Sequence, residues 1–364
     1  MDLAEIFRQF GPAYREKFGD KMLPSHLAAM KAIENCRTEA LGGHLYFCDH
    51  CNEHWYSYHS CRNRHCPKCQ HQAAEEWLEK QYQLLLPVPY FLVTFTLPSE
   101  LRDVARSNQQ IIYNLLFRSA AQALQEICAD KRFVGGQLGM VGILQTWTRD
   151  LRFHPHVHFL VPGGGLRDDG KQWLASRKNF LVRVEPLGKL FRGKFRNALK
   201  KTPLFAKLNA AVWDKAWVVD SRSVGSGEAA LKYLAPYVFR VAISNNRILK
   251  VENDRVTFRY REGDSGKWRT VKLPAEEFIR RFLQHVLPKG FVKVRYFGLF
   301  APGNRHRLKL AQALLPIPTA HPLPPATECQ TTAPLPLTSP TCPTCGKPLT
   351  LLNAILSTAR SPPR

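Results

Sequence analysis

The stretch CDHCNEHWYSYHSCRNRHCPKCQ, beginning at Cys48, limits the possible folds of this chain more than any other. Cys48-x-x-Cys51 and Cys66-x-x-Cys69 are turns that each aim two thiolates at one point. Two such turns complete a tetrahedral Zn²⁺ site, and the loop between them has the length expected of a zinc ribbon. A pair of redox dithiols would need a thioredoxin-like βαβ setting, which is missing here. Four thiolates leave no open position, so the expected ion is structural. Cys36, Cys61, His59 and His65 are further potential ligands, and sequence alone leaves open whether they build a second site. Arg62, Arg64 and Lys68 decorate the last turn, either facing DNA phosphates or forming a solvated surface.

The charge balance of the whole chain is unusual. Lys+Arg number 52 against 29 Asp+Glu, a net charge of +23 with a pI near 9.8. Such an excess points to a polyanionic partner, nucleic acid first and an acidic membrane surface second. No apolar run is long enough to span a membrane. The N-terminus, MDLAEIFRQFGPAYREKFGDK, is charged and amphipathic without the apolar core of a signal peptide. A cytoplasmic protein is expected, its 10 cysteines serving as thiols or metal ligands rather than disulfides.

The chain divides into three segments. Residues 1–87 hold the cysteine-rich region and end in a helical pattern, QAAEEWLEKQYQLLL, closed by Pro87 and Pro89. Residues 88–310 begin with a buried strand, YFLVTFTLP, followed by a helix in QQIIYNLLFRSAAQALQEICA. A strand pair follows, MVGILQTWTR and HPHVHFLVPGGG, the second ending in glycines that suit a turn. Further strands near Arg255–Tyr260 and Phe291–Phe300, with a helix between, give an α+β domain with a mainly antiparallel sheet. Residues 311–364 read as a flexible tail: 12 of the 26 prolines fall after Leu315, which favours extended backbone around one small knuckle, CPTCG. Its Cys342 and Cys345 lack a second pair nearby, with His321 and Cys329 the local candidates to complete a site. Cys128, in an apolar helix, is expected to be a small core residue.

HPHVHFLV puts three histidines into five residues of a strand. Side chains alternate along a strand, so His156 and His158 share a face, about 7 Å apart at Cα. Two imidazoles can close that span onto one metal. His154 lies on the same face but about 13 Å from His158, a poor third ligand. Gln145, on the strand brought alongside by the hairpin, is a better one. Two nitrogens and an amide oxygen leave positions for phosphate and water, suiting Mg²⁺ or Mn²⁺. The alternative is a pair of buried, hydrogen-bonded histidines. In LKYLAPYVFRVAISNNRI, Tyr233 and Tyr237 are four apart and share a helix face, with Pro236 a possible kink. A phenol with a pKa of about 10 is a weak nucleophile, but a divalent metal polarising a phosphate makes its attack feasible. Lys232 and Arg240 could hold the phosphate. Alone, the tyrosine pair would read as an aromatic stripe packing into a core.

Together these features resemble the two-tyrosine HUH transposases of the insertion sequence 91 family. CRTEALGG, CDHC and SCRNRHCPKCQ are similar to their zinc-binding domain. QTWTRDLRFHPHVHFLVPGGG, KYLAPYVFRVAISNNRI and LPKGFVKVRYFG are similar to their catalytic domain, and the likeness runs to about Leu310. The resemblance implies a zinc ribbon followed by an HUH endonuclease domain, a central antiparallel sheet flanked by helices with the tyrosine helix packed across it. It implies rolling-circle transposition: one tyrosine attacks single-stranded or hairpin-end DNA to form a 5′-phosphotyrosine, and the second cuts at the target or far end. His156 and His158 then bind the metal, and Tyr233 and Tyr237 are the nucleophiles. A replication initiator or relaxase shares this chemistry, though a relaxase more often brings a third clustered histidine and a fused helicase or primase. A noncatalytic zinc-ribbon regulator would leave the histidines and tyrosines without a task.

Overall fold

The computed structural model describes residues 1–69, 77–79, 81–82, 84–227, 229, 238, 241–263, 265–315 and 340–358. The chain forms two compact units, Met1–Cys69 with Pro318–Arg364, and Gln70–Ile317.

The first unit opens with helix α1 (Leu3–Phe18), whose N-terminus carries a reciprocal cap. Asp2 accepts the Glu5 N–H, and Glu5 accepts the Asp2 N–H, both at 2.9 Å. Its apolar face, Leu3, Ile6, Phe7 and Tyr14, is buried, as are Met30 and Ile33 of α2 (Pro24–Glu34). The helices approach closely at Gly11, where a Cβ would lie 2.7 Å from Glu34 Oε1. Arg15 meets the same carboxylate at 2.6 Å. Next come β1 (Gly43–Cys48) and β2 (Glu53–Tyr58), an antiparallel hairpin.

The tail differs from its sequence reading. Residues 340–358 are not an isolated knuckle on an extended segment. They contain strand β13 (Thr350–Ile355), which pairs antiparallel with β1 on the edge opposite β2. Proline density misled here because these prolines flank the paired residues: Pro340, Pro343 and Pro348 all precede β13, where no ladder N–H is needed from them.

The second unit is built on a five-stranded antiparallel sheet, ordered β12-β4-β5-β3-β8. Its strands are β3 (Pro89–Thr96), β4 (Gly139–Trp147), β5 (Phe153–Pro162), β8 (Val219–Ser226) and β12 (Val294–Gly298). The expected α+β class and central antiparallel sheet are both present. Strands β4 and β5 are buried along nearly their whole length because both faces are covered. One face carries Phe91, Val93, Phe95, Val157, Phe159 and Val161. These share a core with Ala105 of α3 (Arg102–Ser107), with Leu116, Phe117, Ala120 and Leu124 of α4 (Gln109–Ala129) and with Phe191 and Phe195 of α5 (Val184–Leu199). Cys128 of α4 is a buried core residue, and burial pushes its thiol up to about 12. The opposite face carries Tyr90, Leu92, Val141, Ile143 and Leu160.

The glycines after β5 do not form a simple turn. Gly164–Leu166 is strand β6, paired with β7 (Trp173–Ala175). A Cβ on Gly165 would meet the Gly136 backbone at 2.9 Å, so the glycines serve a close backbone approach. The strand expected near Arg255 belongs to a separate sheet, β9 (Ile248–Glu252), β10 (Arg255–Arg261) and β11 (Trp268–Pro274). It leads into α6 (Ala275–Leu283).

Candidate metal centres and the histidine face

Eight of the ten cysteines sort into two fourfold groups among the described residues. Cys36, Cys61, Cys66 and Cys69 form one; Cys48, Cys51, Cys342 and Cys345 form the other. The expected set of Cys48, Cys51, Cys66 and Cys69 is therefore corrected: its two pairs belong to different clusters. The physical reason is the hairpin. Cys48 and Cys51 bracket the β1–β2 turn at one end, whereas strand β2 carries the chain to the other end before Cys61. There His59 N–H bonds the Gly42 carbonyl and Arg37 N–H bonds the His59 carbonyl, which brings Cys61 beside Cys36. The spare thiols Cys36 and Cys61 are thus ligand candidates of the first group, and its sulfurs approach to 3.5 Å (Cys36–Cys69) and 3.7 Å (Cys61–Cys69). Sulfurs of a tetrahedral zinc thiolate with bonds of about 2.3 Å sit about 3.8 Å apart. The residues present fit that ion. Hydrogen bonds from the Cys36, Cys61 and Cys66 thiols hold Cys69 far below the usual thiol range, ready to ligate as thiolate.

Of the charges on this ribbon, Arg62 and Arg64 are exposed. Lys68 is paired instead, its Nζ 2.7 Å from Asp2 Oδ2.

On the sheet, β5 is the central strand, and His156 and His158 project from the face opposite the α4–α5 core. Gln145 on β4 lies directly across from His156, and Thr94 on β3 directly across from His158. All three candidate ligands are almost buried: 9% exposed at His156, 7% at His158, 4% at Gln145. The His156 Nδ1–H donates to the His154 carbonyl at 2.7 Å, turning Nε2 away from the backbone. His158 Nδ1 is 2.9 Å from the Thr94 hydroxyl. These contacts fix ring orientation as supports behind a metal ligand do. Burial holds His156 down at about 4, the His154 carbonyl acting against it. Burial, with His156 and Arg222 nearby, places His158 well below its ordinary value. Both rings are neutral at pH 7, which is the ligating form.

The ring centroids are 4.8 Å apart. Two imidazoles on neighbouring octahedral positions, with bonds of about 2.1 Å, would place them about 4.6 Å apart. Gln145 Nε2 is buried and has no hydrogen-bond partner among the described residues. A buried amide end without a partner normally costs stability; its N–H groups would donate to an oxygen of a bound phosphate, while Oε1 is the atom that would ligate a cation. His154 is engaged elsewhere, its Nδ1 3.1 Å from Arg102. The donor set fits a divalent cation, and since it carries no charge of its own, a phosphate would have to balance the ion.

Tyr233, Tyr237, Lys232 and Arg240 lie outside the described residues, as do His321 and Cys329. Val238, the residue after Tyr237, is described. It is buried in the apolar cluster of the histidine face with Ile143 and Leu160, and its carbonyl accepts a 3.0 Å bond from Lys293.

Sequence reasoning missed His285. It is 2% exposed and stacks on Phe153. Its Nε2–H donates to the Leu151 carbonyl and its Nδ1 accepts from Thr146. A lone histidine just after an amphipathic helix gives no signal of such burial. Burial holds this ring down at about 3. An unfolded chain takes up protons as pH falls below about 6.5, and the folded chain refuses them, so stability is flat above that pH and lost below it. At pH 4.5, His156 and His285 should each cost about 2–3 kcal/mol. Urea midpoints of metal-free protein at pH 7.5 and 4.5 measure this, and His285→Gln should remove part of the drop. Equal midpoints would contradict it.

Comparison with known proteins defines the class. The model described as "Transposase zinc-binding domain" matches residues 6–97, and the one described as "Putative transposase" matches residues 139–308. The histidine face and the first thiol cluster therefore belong to a transposase. "Putative transposase y4qJ" of Sinorhizobium fredii is 42% identical over 334 residues, 85% of this chain and 83% of that protein. "Transposase for insertion sequence element IS801" of Pseudomonas savastanoi pv. phaseolicola is 30% identical over 282 residues, 73% of this chain and 68% of that protein. The chain belongs to the insertion sequence 91 family of transposases, with an N-terminal zinc-binding domain. No solved structure matches it significantly. Among the described residues no helix is long and apolar enough to cross a membrane.

Proposed function

We propose that this transposase nicks and rejoins single-stranded DNA at the ends of its mobile element through a 5′-phosphotyrosine, in rolling-circle transposition. The observation that carries this reading is the convergence of His156, His158 and Gln145 on one buried sheet face. In this reading Tyr233 or Tyr237 supplies the nucleophile. The tyrosine Oη–P bond forms as the P–O3′ bond breaks, and the leaving O3′ takes up a proton to become a free 3′-OH. Reversal by a new 3′-OH regenerates the phenol and joins DNA without hydrolysis. A Mg²⁺ or Mn²⁺ ion held by His156, His158 and Gln145 would polarise the scissile phosphate and lower the barrier to phenol attack. The chain's own residues orient the rings, keep them neutral and exclude water. Val238 supports the assignment, because its burial on this face belongs to the residue next to Tyr237. Lys232 and Arg240 are proposed phosphate contacts, and Arg62 and Arg64 contacts to duplex or hairpin DNA, with Lys68 first having to leave Asp2.

The experiment uses end-sequence oligonucleotides labelled at one end or the other, with Mn²⁺. A 3′-label should migrate with the protein on a denaturing gel, and a 5′-label should appear on a shorter fragment with a free 3′-OH. Covalent transfer of the 5′-label instead would overturn the proposed polarity. Protein–DNA affinity should also fall steeply with salt, since a charge of +23 engages many phosphates.

A further inference from the structure

We propose that the second thiol cluster is a separate zinc site completed by the C-terminal pair, and that its ion clasps the two ends of the chain into one folded unit. The two turns that supply its ligands are built alike. The residue after the second cysteine has a positive φ in each, 55° at Asn52 and 72° at Gly346. In each, that residue's N–H donates to the carbonyl of the first cysteine at 2.8 Å. Glycine and asparagine are the residues that adopt this backbone at least cost, and the turn folds both thiols back toward one point. Two copies of one knuckle thus face each other.

Distances agree with a tetrathiolate. Cys48 and Cys345 sulfurs are 3.6 Å apart, Cys342 and Cys51 sulfurs 3.9 Å. These bracket the separation of about 3.8 Å expected around zinc, and disulfides would require about 2.05 Å. All four thiols are free, and Cys48 and Cys342 are buried. Four protein thiolates close the coordination sphere, so the ion would be structural.

The other described contacts of this segment are one strand pairing and a small apolar cluster. The apolar cluster around the knuckles holds Leu349, Tyr46 and Trp55 besides the cysteines themselves. Strand β13 exposes Leu351 and Leu352, and its pairing with β1 is interrupted by a bulge. Side-chain bonds are limited to such contacts as Thr350 to Asp49 at 3.0 Å and Ser357 to the Ala40 carbonyl at 2.9 Å. A core this small needs a metal to fold. Cys51 and Cys342 are 291 residues apart, so the ion closes a loop that contains the whole second unit. Neither family match reaches residue 340.

The test is zinc content of the full-length, zinc-reconstituted protein. Two ions per chain are expected. Cys342→Ser with Cys345→Ser should leave one, and Cys36→Ser with Cys61→Ser should also leave one. Because either variant could misfold, Co²⁺ substitution supplies a second readout: each should keep about half the sulfur-to-cobalt absorption of the parent. Subtilisin, which needs no basic residue at the cleavage site (none occurs between Lys309 and Lys347), should digest and release the C-terminal segment rapidly from the Cys342/Cys345 variant and slowly from the parent. One zinc in the parent, two in the Cys342/Cys345 variant, loss of both ions in that variant, or unchanged release of the segment would each overturn the proposal.

Discussion

His156→Ala or His158→Ala should lower cleavage of single-stranded end DNA by about 10³-fold or more, with DNA affinity changed only slightly. The reasoning is electrostatic. A divalent ion on the scissile phosphate contributes several kcal/mol to the transition state, and about 4 kcal/mol corresponds to about 10³ in rate. Either substitution removes one of only three candidate donors, and that set holds no carboxylate to retain the ion by charge. Affinity is carried elsewhere, by the phosphate contacts of a strongly basic chain. Folding should survive, because the surrounding strand remains packed by Val157 and Phe159 on its other face. His158→Ala leaves the Thr94 hydroxyl without its ring partner, at a cost of about 1 kcal/mol. Cleavage rate and equilibrium binding, measured on the same oligonucleotide with a thermal melt as control, decide it. Rates within tenfold of the parent would dismiss the histidines as metal ligands.

Much of this face was legible in the sequence because strand periodicity is rigid. His-Val-His fixes two rings on one side, and a five-residue link between MVGILQTW and FHPHVHFLV brings the strand of Gln145 alongside. Its exact place opposite His156 depends on a bulge between Gln145 and Trp147 that spacing does not record. The zinc ligands were less legible. Proximity along the chain favoured joining Cys48 and Cys51 to Cys66 and Cys69, but a hairpin carries its two ends apart, and sequence spacing carries no record of that. One local signal did exist. CDHCN and CPTCG each place a residue tolerant of positive φ directly after the second cysteine, marking them as matching knuckles despite the distance between them. His285 left no trace, since its burial depends on Leu151 and Phe153 meeting it from a distant hairpin.

Tyr233→Phe combined with Tyr237→Phe should abolish the covalent adduct altogether. Each change removes one oxygen and keeps the ring, so stability should shift by no more than about 1 kcal/mol per site. If both phenols serve one metal-bound phosphate, as a spacing of four on a helix allows, each single variant should retain some adduct. Complete transposition, with cuts at both ends, should need both. Pro236 between them removes a backbone donor and can turn one hydroxyl away, in which case one single variant should show nearly the full loss. Undiminished adduct from the double variant would move the search to Tyr260 and Tyr296. The latter is already bonded to Gln81 at 3.1 Å.

Mass spectrometry of the trapped adduct is the most direct measurement of the central claim. After incubation with single-stranded end DNA and Mn²⁺, then nuclease and trypsin digestion, the account predicts a nucleotide on a peptide containing Tyr233 or Tyr237, absent from His156→Ala. A nucleotide on any other tyrosine, or cleavage that leaves no covalent protein–DNA species, would contradict it.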